Sequence, residues 1–461
     1  MWLWGSVTGS KASATGVLNG IGADVQLARL ATQSCLGGRL EELRGRVVVL
    51  AVRDQLTAAL AMIELDGVAQ RMVLCPPDMS AEYLSSVAHD ADADAWAVDA
   101  RALDTAGNAI AIPVTAEPEP VRAALERCAS QATEWILLTS ATTGAPKLVQ
   151  HTLVSLTSAF VHQPRAPDAV VWSTFYDIRR YGGLQIFLRA VYSGSMVLSS
   201  AAEPVADFLS RAGAAGVTHI SGTASHWRRA LMSGAASRIA PRYVRLSGEI
   251  ADQAILDALR AAYPNATVAH AFATTEAGVA FEVGDGLAGF PASLVGATGD
   301  SVELKIRGDT LQLRSAGTAT RYLGSHTASL RGSDGFVDTG DRVELRDGRY
   351  YFLGRSGGVI NVGGLKVHPE EVEAVINAHP WVRMSRVMAR RSAITGAVVA
   401  AEVVLADTAG AAGTRPADEA LSQKIIEHCR LSLPAHKVPV MIRIVAALEL
   451  SAAGKLVRPN A

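Results

Sequence analysis

Cysteine is scarce in this chain of 461 residues, which holds four. Cys35, Cys75, Cys128 and Cys429 are far apart and form no C-x-x-C pair. Neither a zinc site nor a disulfide framework is indicated, and four ordinary reduced thiols in apolar surroundings are expected. An excess of charge of one sign is also lacking. Lysine plus arginine number 43 and aspartate plus glutamate 44, a formal net charge of −1. A dedicated nucleic-acid binder carries a basic excess, so no nucleic-acid partner is expected, although a local basic groove for a nucleotide or CoA stays compatible with these counts. No uncharged apolar run reaches the roughly 20 residues of a membrane-spanning helix. Met1-Trp2-Leu3-Trp4-Gly5-Ser6 is not a basic stretch leading into an apolar one, so no secretory signal is expected and a cytoplasmic location is the default.

What is present supports a sizeable core. Hydrophobic residues make up 49% and charged residues 19%, too apolar for disorder. Domains of roughly 100–200 residues suggest two to four units. In the first third, the β-branched run Val47 to Val52, the helical spacing from Leu56 to Ala69, Met72 to Cys75, the helical stretch Ala81 to Ala91 and Ala95 to Val98 alternate as strands and helices do in parallel α/β layers. The rhythm returns at Ala169 to Trp172, Gly183 to Tyr192 and Ser195 to Leu198. From Val302 the pattern becomes antiparallel: Val302 to Ile306 and Leu311 to Arg314 alternate apolar and polar residues, and Asp347-Gly348-Arg349 sits between two strand-like runs as a hairpin turn would. A helix at Pro369 to Ala378, a strand at Ala397 to Leu405, a loop at Thr408 to Thr414, a helix at Ala417 to Leu431 and a strand-like run at Met441 to Leu448 follow. The expected architecture is α/β: a large N-terminal domain, 1–354, of layered parallel sheets with a small β subdomain, then a small mobile α+β C-terminal domain, 355–461.

Chemistry concentrates in a few segments. Trp135 to Leu138 reads as a strand, and it runs into Thr139-Ser140-Ala141-Thr142-Thr143-Gly144-Ala145-Pro146-Lys147. Small residues let backbone N–H groups approach an anion, hydroxyls add donors and Lys147 supplies a movable positive charge. The spacing is not that of the GxxxxGK[ST] loop. Phe272-Ala273-Thr274-Thr275-Glu276 places a carboxylate beside hydroxyls, suited to a hard cation bridging phosphates; the alternative is a helix start capped by Glu276. Asp338-Thr339-Gly340-Asp341, Gly354-Arg355, Ser247-Gly248-Glu249, Gly363-Gly364-Leu365-Lys366 and Gly454-Lys455 complete the set.

In order and spacing, these segments resemble the motifs of the acyl-adenylate-forming (ANL) superfamily, and the likeness spans about two-thirds of the chain, from Thr139 to Lys455. The resemblance implies ATP-dependent activation of a carboxylic acid as acyl-AMP with release of pyrophosphate, followed by thioester formation with CoA. It implies that Thr139, Ser140, Thr142, Thr143, Gly144 and Lys147 hold the β- and γ-phosphates, that Phe272 stacks near adenine beside the Ser247-Gly248-Glu249 loop, and that Asp341 and Arg355 reach the ribose. Thr275 bonds the α-phosphate, Glu276 holds Mg²⁺, and Lys455 bridges carboxylate and α-phosphate. Gly363, Gly364 and Lys366 face the pantetheine arm of CoA in a second conformation reached by rotation near Arg355, where Gly357 occupies the hinge position. Ala141 and Ala273 stand where glycine is usual. The acid pocket falls to Tyr176, Tyr181, Gly182, Ala271 and Ala273, with an aryl or small acyl acid favoured. Two further readings concern that pocket: Arg179 and Arg180 as partners of a second substrate anion, or Asp177 as the partner of an amino-acid ammonium. A carrier-protein phosphopantetheine is the alternative acceptor, a nucleotide-binding relative without catalysis the second rival, and a homodimer the family-level expectation.

Overall fold

The structure is a computed structural model that describes residues 3–8, 16–99, 109–121, 127, 132–139, 146–163, 168–297, 302–324, 329–392, 395–406 and 417–458. Two large sheets form the body. The first has seven strands in the order Arg321–Leu323, Leu148–His151, Glu134–Leu138, Arg71–Leu74, Val47–Ala51, Ala95–Val98 and Ile110–Pro113. Its centre is parallel, and Val47 to Leu50 and Arg71 to Leu74 are buried along their whole length. A parallel strand covered on both faces needs such an uninterrupted apolar run. The helix Gln55–Leu65 is buried at every residue and opens on Asp54, whose carboxylate accepts from Thr57 N, a cap contributing about 1 kcal/mol. It stops four residues short of the expected Ala69, because Gly67 takes a φ of +80°.

The second sheet has eight strands, ordered Gly278–Val283, Thr267–Thr274, Tyr243–Ser247, His219–Gly222, Val170–Thr174, Gly194–Leu198, Val17–Asn19 and Asp24–Gln26. The helix Tyr181–Ser193 packs on its inner face with the large core that also takes in the first sheet. The helices Ala224–Met232 and Gln253–Ala262 pack on its outer face around Trp227 and Leu259. A five-stranded antiparallel sheet follows, Phe290–Pro291, Arg349–Arg355, Val337–Arg346, Thr310–Ser315 and Val302–Arg307. Its hairpin turns at Asp347 and Gly348, both with positive φ, as a two-residue turn matched to strand twist requires.

After Arg355 the chain builds a separate core around Val367, Ile376, Val403 and Ile425. It comprises the hairpin of Ile360–Val362 with Leu365–Val367, the helix Pro369–Asn377, the three-stranded sheet of Val382–Ser392, Gly396–Leu405 and Met441–Ile444, and the helix Asp418–Ser432. Pro369 at the first helical position is pre-set for the helix, and its lost N–H is one that would go unpaired anyway. The final strand ends at Ile444, not at Leu448 as the apolar run suggests. The loop expected at Thr408 to Thr414 lies outside the described residues. Among the described residues no helix is long and apolar enough to cross a membrane, and Cys35, Cys75 and Cys429 are buried free thiols.

Candidate active site

The Thr139–Lys147 loop is the connection of an antiparallel pair, Glu134–Leu138 with Leu148–His151. Its ends are closed by Thr139 N donating to Lys147 O at 3.1 Å. Ser140 to Ala145 lie outside the described residues, and with them Thr142, Thr143, Gly144 and the departure at Ala141. Lys147 Nζ sits 5.2 Å above the ring of Tyr322. The Tyr322 hydroxyl donates to Glu276 Oε1 at 3.4 Å. Tyr322 therefore links the lysine of one motif to the carboxylate of the next. Burial, then the Glu276 charge, pushes its own pKa up to about 12.

Glu276 is not at a helix start. Thr275 and Glu276 form a turn between the strands Thr267–Thr274 and Gly278–Val283, which removes the capping alternative. The turn is pinned from the first sheet by His151, whose Nε2 donates to Thr275 O at 2.7 Å and whose Nδ1 lies 3.0 Å from Ser155 Oγ. Burial lowers the His151 pKa to about 4, against the pull of the Thr275 bond, so the ring is neutral near pH 7 and holds the turn as a dipole. Among the described residues no group of three or more His, Cys, Asp or Glu gathers. A single half-buried carboxylate fits a Mg²⁺ ion whose other ligands are phosphate oxygens and water.

Asp341 and Arg355 face each other across paired strands, with Arg355 Nε donating to Asp341 Oδ1 at 3.3 Å. Oδ2 of Asp341 is buried and without a partner among the described residues. Burial raises the Asp341 pKa while Arg355 pulls it down. An orphaned buried acceptor is costly, and a ribose diol supplies the donors that would satisfy it. Phe272 has neighbours the sequence did not announce: its ring stacks on Phe352 at 4.8 Å and on Phe281 at 5.8 Å.

Lys455 arrives from the far end of the chain. Ser451 N donates to Lys455 O and Gly454 N to Ser451 O, both at 2.8 Å, forming a tight turn. Thr223 Oγ1 donates to Gly454 O at 2.6 Å, and Leu456 N donates to Glu249 Oε1 at 2.9 Å. The second oxygen of Glu249 accepts from Ser225 N at 2.8 Å. Glu249 is thus a clamp between the large body and the C-terminal turn, a role its place in the adenine-loop motif did not suggest. Gly454 has a φ of +70°, and a methyl there would fall 1.8 Å from His226 Cε1. His226 is stacked on Phe175 at 5.4 Å and cannot easily yield. A methyl built on Gly248 would lie 3.6 Å from Lys455 Cε, 3.8 Å from Thr223 Cγ2 and 3.9 Å from the Tyr176 hydroxyl. These groups converge on one cleft, where Lys455 as a residue is exposed while burial of its ammonium and then Arg355 lower its pKa, opposed by Glu249 and Asp341.

The pocket residues lie beside this cleft. Tyr176 and Tyr181 are buried, the Tyr176 hydroxyl donates to Ser247 O at 2.5 Å, and Gly182 packs on the Tyr176 ring. Ala271 is opposite Ser247 on the adjacent strand, and Ala273 follows on the same face. Two readings of this region fail. Arg179 is fully buried and tied to Asp177 at 2.5–2.9 Å and to the carbonyls of Val52 and Arg53, so it does not face a substrate anion. Asp177 is consumed by the same pair and is not open to an ammonium. The anion-partner reading fails for Arg179 alone: Arg180 is bound to Asp78 through two 2.7 Å bonds from Nη2, and its buried Nε has no partner among the described residues.

Gly363 and Gly364 turn the Ile360–Val367 hairpin with φ of +57° and +89°. Both glycines and Lys366 are exposed. The glutamates after Pro369 are structural: Glu371 binds Lys437 and Glu373 binds Arg458.

The description "AMP-binding enzyme" fits residues 39–319 and "AMP-binding enzyme C-terminal domain" fits residues 371–455. Mouse mitochondrial acyl-coenzyme A synthetase ACSM5 is 33% identical over 29% of this chain and 22% of its own length. The 2-succinylbenzoate–CoA ligase of Salmonella typhimurium is 30% identical over 54% of this chain and 53% of its own. The chain thus spans about a fifth to a half of the curated relatives it matches. The crystal structure of the anthranilate CoA ligase AuaEII in complex with anthranoyl-AMP superposes with a TM-score of 0.80 over 99% of this chain and 95% of that one, at 18% identity. The same two-part architecture, the family match over most of residues 39–455 and the order of the motifs agree: the chain belongs to the AMP-binding enzyme family.

Proposed function

We propose that the chain is an AMP-forming carboxylate–CoA ligase, joining an aryl or small acyl acid first to AMP and then to CoA. The observation that carries this reading is the seating of Lys455 in the cleft with Gly248, Thr223 and Tyr176, held by Glu249 and Thr223. The carboxylate of the acid is itself the nucleophile, so the protein's task is to place it in line with the α-phosphorus and to stabilise the charge that develops there. Lys455 and Thr275 are the donors for that charge. Lys147, Thr139, Ser140, Thr142, Thr143 and Gly144 hold the outgoing phosphates. Asp341 and Arg355 hold the ribose, and Ser247, Gly248, Glu249 and Phe272 line the base. A Mg²⁺ ion held by Glu276 would neutralise phosphate charge. Breaking the contacts at residues 454 and 456 frees the small domain, from residue 355 onward, to present Gly363, Gly364 and Lys366 to the pantetheine thiol. The names of the relatives support this reading.

The test is ATP–pyrophosphate exchange over a panel of acids, with acyl-adenylate identified by mass. Exchange dependent on one class of acid is expected. No exchange with any acid contradicts the reading and leaves a nucleotide-binding relative. Free CoA and a phosphopantetheinylated carrier protein, compared as acceptors, settle the second step.

A further inference from the structure

Three residues beyond Lys455, Arg458 is bound in a way that the chemistry proposed above does not use. Its Nη1 donates to Glu373 Oε1 at 2.7 Å and its Nη2 to Glu373 Oε2 at 2.8 Å, the two-pronged fit of a guanidinium to a carboxylate. Glu373 stands on the helix Pro369–Asn377 and is buried. Its Oε1 also accepts from Val387 N at 2.7 Å. At the residue before Arg458, Val457 O accepts from Arg386 Nη1 at 2.7 Å. Arg386 is itself held through Nε by the buried Glu402 at 3.1 Å. Two buried carboxylates of the small domain thus grip the exit of the Lys455 turn, each through an arginine. Nη2 of Arg458 also lies 3.3 Å from Glu370 Oε1, and a methyl built on Gly354 would collide with the Glu370 carboxylate. The bracket therefore reaches back to the glycine just before Arg355, where the domains join.

These bonds differ from those that dock the turn on the large body. Thr223 donates to Gly454 O and Glu249 accepts from Leu456 N across the domain boundary, bonds that the domain rotation proposed above would break. The contacts through Arg458, Glu373, Arg386 and Glu402 lie inside the small domain and travel with it. Other contacts close the turn on itself: Val457 N donates to Glu449 O at 3.1 Å, and Leu450 bridges Leu456. Leu450 and Leu456 pack on Met384, Val404 and Leu448, which holds the segment without fixing its direction, since apolar burial is non-directional. The fork of Arg458 is directional. Burial works against its charge, the Glu373 charge outweighs burial, and the Arg458 pKa is raised, so the pair stays ionised. The turn sets Lys455 among Arg355, Glu249, Asp341 and Arg180, where burial and then Arg355 lower its pKa.

We propose that Arg458 is a positioning residue for Lys455: with Arg386 it makes the turn part of the small domain's frame, so that the ammonium is aimed when the domain docks and withdrawn as the domain turns. The proposal rests on the acid-activation reading. Arg458→Gln should slow single-turnover formation of acyl-AMP by about tenfold or more, as the loss of a charged hydrogen-bonded pair allows. The ATP concentration for half-maximal rate should not change, and thioester formation from supplied acyl-AMP should keep the parent rate. Arg458→Lys, which keeps the charge beside Glu373 and loses the fork, should restore part of the lost rate. An equal loss in both half-reactions, a weakened response to ATP alone, or parent rates in both overturns the proposal. A second readout needs no activity. Acetic anhydride modifies only the neutral amine, so the yield of acetylated Lys455 peptide against pH, read by mass, reports how this lysine titrates. In the parent protein it should titrate below an ordinary lysine, and in Arg458→Gln nearer to the ordinary value. Identical profiles overturn the proposal; a shifted profile with no exchange on any acid upholds the bracket and leaves the activity reading to fail alone. Should Arg458→Gln not fold, Arg458→Lys carries both measurements: smaller changes in the same directions are expected, and parent behaviour in both overturns the proposal.

Discussion

The two working ends of the small domain are held in opposite ways. The C-terminal turn carrying Lys455 is fastened to the large body by Thr223 and Glu249, and Gly454 fits a space that His226 denies to any side chain. Between the two domains, Arg228 donates to Arg383 O at 2.9 Å and Asn377 to Asp252 Oδ2 at 3.0 Å. The glycine-pair hairpin makes no such bonds. Gly363 N donates to Thr395 O and Gly364 N to Asn361 Oδ1, both within the small domain, and among the described residues no hydrogen bond joins 360–367 to the large body. One end is docked against the large body, where we propose that it serves the α-phosphate, and the other is exposed to solvent. The docking hydrogen bonds named here are single ones, each worth about 1–3 kcal/mol net. That suits a joint that must open as well as close.

Substitutions can separate the two ends. The largest effect is expected from Lys455→Ala, which removes a preorganised donor and should slow adenylation by about 2.7–4 kcal/mol in activation free energy, read by single-turnover formation of acyl-AMP. Gly454→Ala comes next: the φ of +70° and the clash with His226 should cost about 1–3 kcal/mol in the same assay, and His226→Ala added to it should restore part of the rate. Glu249→Ala removes the clamp from Leu456 N and Ser225 N, a loss of about 2 kcal/mol for a charged acceptor, seen in adenylation and not in thioester formation. A smaller effect concerns pH. The Lys455 pKa is lowered by burial and then by Arg355, and the charged form is the useful one, so adenylation should fall as pH rises through a value below that of an ordinary lysine. Arg355→Gln should move that alkaline limb upward. The smallest effect is expected at the free end, where Lys366→Ala should raise the KM for CoA severalfold and leave acyl-AMP formation unchanged.

Much of the fold was legible because burial writes a pattern. Ala95 to Val98 is a strand with the expected ends, and Pro369 opens the expected helix. The strand Val382–Ser392 escaped notice because Arg383, Arg386, Arg390 and Arg391 interrupt its apolar residues; Arg386 is in fact held by Glu402 from the neighbouring strand. The site was legible as motifs along the chain, not as contacts across it. Tyr322, 46 residues beyond Glu276, and His151, 124 before Thr275, carry no local signal. Neither does the clamp from Glu249 to Leu456, which spans 207 residues. Arg179 and Asp177 looked available only because their mutual pairing depends on a turn that a linear reading does not reveal.

Docking of the C-terminal turn is proposed to serve the first half-reaction alone. Its most direct test is to give the Lys455→Ala variant preformed acyl-AMP and CoA and to measure thioester formation. A rate close to that of the parent protein is expected, despite the loss of adenylation. A loss of thioester formation as deep as the loss of acyl-AMP formation would contradict it.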